Sequence, residues 1–231
     1  IPLGKRLEQH GYEMTFYSGG KAYELLQKEF KHVSHCTPIS WYENAYGILT
    51  AASLLNIVFP LPLFNIERNR LEIKNSNAME TIQRYYDLRE NIRELAPDML
   101  IADGDLNALR LGLRWKIPSV YIANMIRPSY GFTAFLNPGE RFIERYIKNC
   151  KKIIIPDNPP PYTVSEYNIG NLDDMKLGDK IEYVGSFIDT SAQRGGQDHI
   201  YAAISGPVGT RGKLLKTLMP VLEKLKTKCL I

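Results

Sequence analysis

Cysteine is scarce in this sequence, with three residues in 231, at Cys36, Cys150 and Cys229. A disulfide-stapled scaffold needs a dense and even set of cysteines, so that class of protein is excluded. Isolated cysteines are typical of a reducing compartment, which favours a cytoplasmic protein. The first residues also lack the charged start and apolar run of a signal peptide. The chain begins with Ile1 rather than Met, and Ile231 lies in a predicted strand, so we expect a fragment.

A strong excess of charge is absent as well. The formal net charge is +4, from 29 basic and 25 acidic side chains. The basic residues are scattered and do not form the aromatic, basic motif of an RNA-binding sheet, so nucleic acid is not an expected partner. An acidic ligand or an anionic membrane surface is compatible with this charge. With 44% hydrophobic and 23% charged residues, the composition is that of an ordinary globular protein.

Several catalytic motifs are missing. The sequence contains neither the GxSxG turn of serine hydrolases nor the HExxH helix of zinc proteases. His32, His35 and Cys36 are neighbours, but a zinc site needs three or four ligands and no fourth is nearby. We therefore predict no metal site and expect these three to be surface or turn residues.

Charged residues are also missing from the stretch 44–66. Its length approaches that of a membrane-spanning helix, but Pro60 and Pro62 would break such a helix. Three alternatives are a membrane span, a buried helix with an extended tail, and an apolar patch that contacts one face of a bilayer. The prolines favour the second, and whether residues 48–64 contact lipid stays open.

Apolar periodicity predicts strands and helices in alternation. The predicted strands are 12–18, 32–35, 99–102, 117–123, 152–155, 181–185, 200–204 and 228–231. The predicted helices are 2–10, 21–30, 67–95, 106–116, 139–150 and 213–226. This order favours an α/β fold with a parallel sheet and helices on both faces. The continuous apolar run 99–102 is typical of a strand that is buried on both faces.

A polar segment at 191–198 contains Gly195 and Gly196 and suits a linker. A strand, a glycine-containing loop and a helix follow it, which predicts a second unit of the same kind. We therefore predict two domains, residues 1–190 and residues 199–231, the second cut short.

The loop of the second unit, residues 205–213, has the sequence SGPVGTRGK. Backbone N–H groups at a helix start, with Arg211 and Lys213 nearby, form a natural phosphate site. The loop is not a Walker A motif, because Leu214 stands where Ser or Thr would hold magnesium. The alternative is a tight turn that needs glycine for its backbone angles.

Polar residues follow two of the predicted strands at their carboxyl ends, where ligands bind in parallel sheets. Asp103-Gly104-Asp105 follows the strand 99–102, and Asn124 and Arg127 follow the strand 117–123. Asp103 is a candidate base or hydroxyl ligand. The alternative is that both carboxylates only cap the next helix. Arg127 would meet an acidic substrate group or lie in solvent.

Five segments, in this order and spacing, resemble glycosyltransferases of the GT-B fold, most closely the family-28 type that includes the peptidoglycan N-acetylglucosaminyltransferase. The segments are QHGYEMTF at 9–16, APDMLIAD at 96–103, LRWKIPSV at 113–120, YVGSFI at 183–188 and ISGPVGT at 204–210. The resemblance implies two Rossmann-like lobes, the second truncated here. It also implies transfer of a sugar from a nucleotide-diphosphate-sugar, of the uridine type, to an acceptor, without a metal or other cofactor.

The resemblance also assigns residues. The predicted donor diphosphate site consists of Gly206, Pro207, Val208, Gly209, Thr210 and Arg211. Gly185 and Ser186 match the hinge of the cleft. The predicted acceptor side consists of Asp103, Gly104, Asn124 and Arg127. The resemblance leaves the catalytic residue of this chain unassigned, with Asp103 as a candidate. The family's catalytic histidine is expected before Ile1 and its ribose-binding acid after Ile231. This fragment alone is therefore expected to be inactive.

Members of this family often dock on membranes, which implies a lipid-linked or membrane-proximal acceptor and a peripheral position on the inner face of the membrane. Two other functions stay open. One is a sugar-nucleotide 2-epimerase on the same fold, and the other is a non-catalytic module that recruits a partner to a membrane.

Overall fold

A computed structural model describes residues 1–40, 42, 51–65, 68–124, 126, 137–164, 169, 172, 175–185, 187, 199–201, 208–225 and 228–230. The helices are α1 (Pro2–Gln9), α2 (Gly20–Glu29), α3 (Ala51–Asn56), α4 (Asn77–Leu95), α5 (Leu106–Trp115), α6 (Asn137–Lys148) and α7 (Val208–Leu222). The strands are β1 (Phe16–Ser18), β2 (Val33–His35), β3 (Leu61–Asn65), β4 (Arg70–Lys74), β5 (Leu100–Asp103), β6 (Ser119–Ile122), β7 (Lys152–Ile155), β8 (Ile181–Tyr183), β9 (His199–Tyr201) and β10 (Lys228–Leu230).

The residues group into two compact units. The first contains Ile1–Cys36 and Arg84–Asp189, and the second contains Thr37–Gln83 and Thr190–Ile231. Each unit has parallel strand pairs joined through a helix, as in β1–α2–β2 and β9–α7–β10. The predicted α/β class is therefore confirmed. The domain boundary between 190 and 199 stays a prediction.

The centre of the first unit is a four-stranded parallel sheet in the order β5-β6-β7-β8. Ile153 and Ile155 of β7 are fully buried, because this inner strand is rich in branched apolar residues. Strand β5 differs from its prediction, since Leu100 and Ala102 are buried while Ile101 and Asp103 are exposed. An outer strand in the described sheet needs only one covered face.

Two predicted boundaries at the start of helices are wrong. The segment 67–76 was predicted as helix, but β4 forms there and α4 starts at Asn77. The alternation of Leu71, Glu72 and Ile73 has the period of a strand, and it pairs with β3 in antiparallel register. Helix α7 starts at Val208 rather than at 213. The prediction treated Gly209 and Gly212 as loop residues, but both lie within the helix.

In its described part, residues 51–65, the apolar stretch does not form the predicted buried helix. Helix α3 buries Ser53 and Asn56, while Leu54 and Leu55 are 45% and 54% exposed. The β3–β4 hairpin repeats this pattern, with Leu71 and Ile73 at 67% and 68% exposure. None of the described helices is long and apolar enough to cross a bilayer.

The inner side of this hairpin is polar instead. Lys74 Nζ lies 3.1 Å from Glu80 Oε1, and the two side chains are only 9% and 11% exposed. Glu80 Oε2 also accepts a hydrogen bond from the backbone of Ser40 at 3.0 Å. The Asn56 side chain donates to the carbonyls of Phe59 and Asn75. This region of the second unit thus keeps polar contacts inside and apolar side chains in solvent.

Close packing of α5 on the sheet gives a stability prediction. A Cβ at Gly112 would overlap with Ser119 Oγ and lie 3.3 Å from the Ile117 carbonyl oxygen. We expect Gly112→Ala to lower the free energy of unfolding by about 1–3 kcal/mol through overpacking. Urea denaturation measures the loss. Gly178→Ala, where a Cβ meets nothing within 4 Å, is the control and is expected to leave the midpoint unchanged.

Candidate functional site

The carboxyl ends of β5 to β8 bring four chain turns to one edge of the sheet, because all four strands run in the same direction. Backbone hydrogen bonds extend the ladder into these turns. Gly104 N donates to the Ile122 carbonyl at 2.9 Å, and Ala123 N donates to the Ile154 carbonyl at 3.1 Å. The predicted residues Asp103, Gly104, Asn124 and Gly185 therefore share one edge.

Asp103 and Asp105 have different environments. Asp105 caps α5, since its Oδ1 accepts a hydrogen bond from Asn107 N at 3.0 Å. Asp103 is exposed and engages in no hydrogen bond or ion pair with the described residues. Gly104 between them has φ +66°, a left-handed conformation that glycine adopts without strain. The alternative in which both carboxylates cap the helix is excluded, and Asp103 is open to a ligand.

The Arg84 guanidinium contacts the turn 103–105 through the side chain of Asp105. Its Nε lies 2.7 Å from Asp105 Oδ2, and both side chains are mostly buried. Its Nη1 lies 2.9 Å from Cys36 Sγ, which is completely buried at the end of β2. The prediction of a surface cysteine is therefore wrong for Cys36. Desolvation raises the pKa of the Cys36 thiol, and the charge of Arg84 acts in the opposite direction.

The two histidines of the same segment behave as expected. His32 and His35 are exposed, and the His35 ring meets the Tyr23 ring edge-on at 5.2 Å between centroids. Within the described residues, no group of three histidine, cysteine or acidic side chains is placed to hold a metal ion.

Asp157 is a residue of this edge that sequence reasoning missed. It follows β7 and is 7% exposed. Its Oδ1 accepts from Asn158 N at 2.7 Å, and its Oδ2 accepts from Thr163 Oγ1 at 2.6 Å and Val164 N at 2.9 Å. Its carbonyl accepts from Gly185 N at 3.1 Å, where Gly185 has φ +70°. The signal was an aspartate one residue beyond a buried strand, between Pro156 and Asn-Pro.

The other predicted site residues are less well defined. Arg127, Ser186, Gly206 and Pro207 lie outside the described residues. Val208, Gly209, Thr210 and Arg211 form the first turn of α7, whose backbone alone is described there. The first N–H groups of a helix have no partner within it, so this turn offers backbone donors. The diphosphate role of these residues stays a prediction.

Comparison with curated proteins finds a glycosyltransferase. The chain is 22% identical over 204 residues to an uncharacterized glycosyltransferase of Methanosarcina mazei, which covers 85% of this chain and 49% of that protein. The chain thus spans about half the length of the curated relative it matches. This similarity confirms the resemblance to glycosyltransferases. No protein-family model matches the chain.

Two solved structures show distant similarity to the chain. MurG of Acinetobacter baumannii is 8% identical, covering 99% of this chain and 51% of that chain with a TM-score of 0.48. The UDP-N-acetylglucosamine 2-epimerase of Rickettsia bellii is 14% identical, covering 93% and 50% with a TM-score of 0.34.

The buried ion pair below the edge gives a second stability prediction. Asp105→Ala removes both the cap of α5 and the partner of Arg84, so we expect a loss of about 3–5 kcal/mol in the free energy of unfolding. Adding Arg84→Met to this variant removes the unpaired buried cation, so the double variant should regain part of the lost stability. A double-mutant cycle by urea denaturation measures both effects. Equal losses in the single and double variants would contradict the coupling.

Proposed function

We propose that this chain is the acceptor-side part, with the start of the donor side, of an enzyme that transfers a sugar from a nucleotide-diphosphate-sugar to an acceptor. The observation that carries the proposal is the similarity to the Methanosarcina mazei glycosyltransferase over 85% of this chain. The sheet edge supports it, because an exposed carboxylate and an exposed amide lie there beside glycine turns. Such groups suit the hydroxyls of a sugar.

The chemistry assigns Asp103 as the base. The acceptor hydroxyl gives its proton to the Asp103 carboxylate as its oxygen attacks the anomeric carbon of the donor. The bond from that carbon to the diphosphate oxygen breaks, and the nucleoside diphosphate leaves with the electron pair. The backbone N–H groups of the first turn of α7 stabilise the charge that develops on the leaving group. We expect this transfer to need no metal, so that EDTA leaves the transferase activity of the full-length enzyme unchanged.

The proposed donor site predicts that substitutions of two glycines in α7, Gly209 and Gly212, change the affinity for UDP to different extents. Gly209→Val places a branched side chain among the proposed diphosphate donors, and we expect it to weaken UDP binding at least about tenfold by lost backbone contacts. Calorimetry of the full-length protein with UDP measures the affinity. Gly212→Val is the matched control, because a Cβ there meets nothing within 4 Å.

Two outcomes would contradict the proposal. Equal UDP affinity of the Gly209→Val and Gly212→Val variants removes the diphosphate role of this turn. Conversion of UDP-N-acetylglucosamine into its 2-epimer without any acceptor favours the epimerase instead of transfer.

We also propose a lipid-linked acceptor and a peripheral position on the inner face of the membrane. The support is the surface around α3 in the second unit, where the apolar side chains are exposed and the polar ones are buried. Leu54, Leu55 and Phe59 face solvent, while Ser53 and Asn56 are buried. Such an apolar surface marks an interaction site. Its nearby cations Arg68 and Arg70 both pair with Glu72, so the apolar side chains and not anionic headgroups would supply the binding energy.

Vesicle binding tests the lipid contact. We expect Leu54→Ser combined with Leu55→Ser to reduce co-sedimentation with phosphatidylcholine vesicles several-fold through lost apolar burial. Leu25→Ser in α2 is the control, since Leu25 is 53% exposed and thus matches Leu55. Binding of the unsubstituted chain should persist in high salt. Absence of vesicle binding by that chain would overturn the membrane proposal.

A further inference from the structure

The loop after β7 is held rigid by one carboxylate. Asp157 accepts hydrogen bonds from Asn158 N, Thr163 Oγ1 and Val164 N, so both ends of the loop 157–164 are tied to the same side chain. Tyr162 N donates to the Pro159 carbonyl at 3.0 Å and closes a turn inside the loop. The three prolines at 159–161 restrict the backbone further.

The loop carries two large side chains that are mostly exposed. Tyr162 is 78% exposed and Val164 is 91% exposed. Burying a carboxylate such as Asp157 is unfavourable unless it is hydrogen-bonded, and its two oxygens accept the three hydrogen bonds from the loop, while its backbone carbonyl accepts from Gly185 N. An aromatic ring with two side-chain torsions loses little entropy when a ligand covers it. The loop is therefore preorganised to present the Tyr162 ring.

The position of the loop 157–164 in the sheet indicates what kind of ligand Tyr162 would contact. It leaves the carboxyl edge of the sheet from β7, between the turn with Asn124 and the turn with Gly185, and Asp103 lies two strands away. Neighbouring strands are about 4.8 Å apart, so β5 and β7 end roughly 10 Å apart, a span that linked sugar rings can bridge. Asp103 and Asn124 offer polar groups for hydroxyls, and a tyrosine ring offers a flat apolar face for the C–H face of a sugar.

We propose that Tyr162 is a stacking residue for a saccharide acceptor, and that Asp157 is the positioning residue that holds it. This inference rests on the proposed glycosyltransferase function, and it narrows the acceptor to one whose accepting part is a sugar ring. A nucleobase would also stack on a tyrosine. The donor nucleotide is instead assigned to the turn of α7, in the other unit.

Saturation-transfer NMR on the 231-residue chain tests the proposal, with the methyl glycosides of glucose, mannose and N-acetylglucosamine as probes. We expect at least one probe to bind, with saturation strongest at its ring C–H protons. Tyr162→Ala should weaken its affinity about three- to tenfold, because the apolar face that covers the ring C–H groups is lost. Tyr162→Phe should retain binding, and Val164→Ala is the matched control on the same loop.

Asp157→Ala provides a separate check on positioning. This substitution keeps the Tyr162 side chain but removes the three hydrogen bonds that order the loop. The affinity for the probe should therefore fall although the stacking ring is still present. Circular dichroism should show an unchanged fold for every variant compared. Equal affinity in Tyr162→Ala, or no binding by any probe, would overturn the inference.

UDP binding in the same samples separates the two proposals. Loss of the saccharide alone in Tyr162→Ala, with UDP binding intact, supports both. Saccharide binding that depends on Tyr162 in a chain that binds no UDP keeps the stacking residue and overturns the donor site. Loss of UDP binding in Tyr162→Ala would mean that the ring contacts the base, which overturns the saccharide assignment.

Discussion

Parallel hydrogen bonding of β5, β6, β7 and β8 is the constraint on which the rest of the first unit depends. Because the four strands run in the same direction, every chain segment that leaves a strand turns at the same edge. Asp103, Asn124, Asp157 and Gly185 are distant in sequence and become neighbours along that edge. Two mostly buried carboxylates then fix the turns: Asp105 caps α5 and binds Arg84, while Asp157 closes the loop after β7.

Sequence patterns predicted the architecture of this unit well, because short apolar strands alternate with longer amphipathic helices. The segment 67–76 failed for a physical reason. Ile73 fits both a helical and an extended pattern, and only its cross-strand neighbour Pro62 decides between them. Strand formation thus depends on the partner strand of the hairpin, which the pattern of a single segment does not include.

The second failure concerns polarity. The prolines favoured a buried helix in the apolar stretch, as the hydrophobic effect does for most helices, while a lipid contact of residues 48–64 stayed open. In the structure the pair of Lys74 with Glu80 and the amide of Asn56 occupy the interior, and the leucines of α3 face outward. Asp157 was missed for a related reason, because an aspartate before Asn-Pro is ordinary in a turn and its three acceptor bonds depend on residues up to Val164.

The Asp157 loop also affects how the protein can diverge. Its anchoring atoms belong to Asp157, Thr163 and two backbone amides, whereas Tyr162 contributes its ring to none of them. Replacement of the tip is thus separable from the stability of the sheet below. Related chains that keep the anchor and vary position 162 could acquire new ligand preferences by single substitutions, without any change to the scaffold.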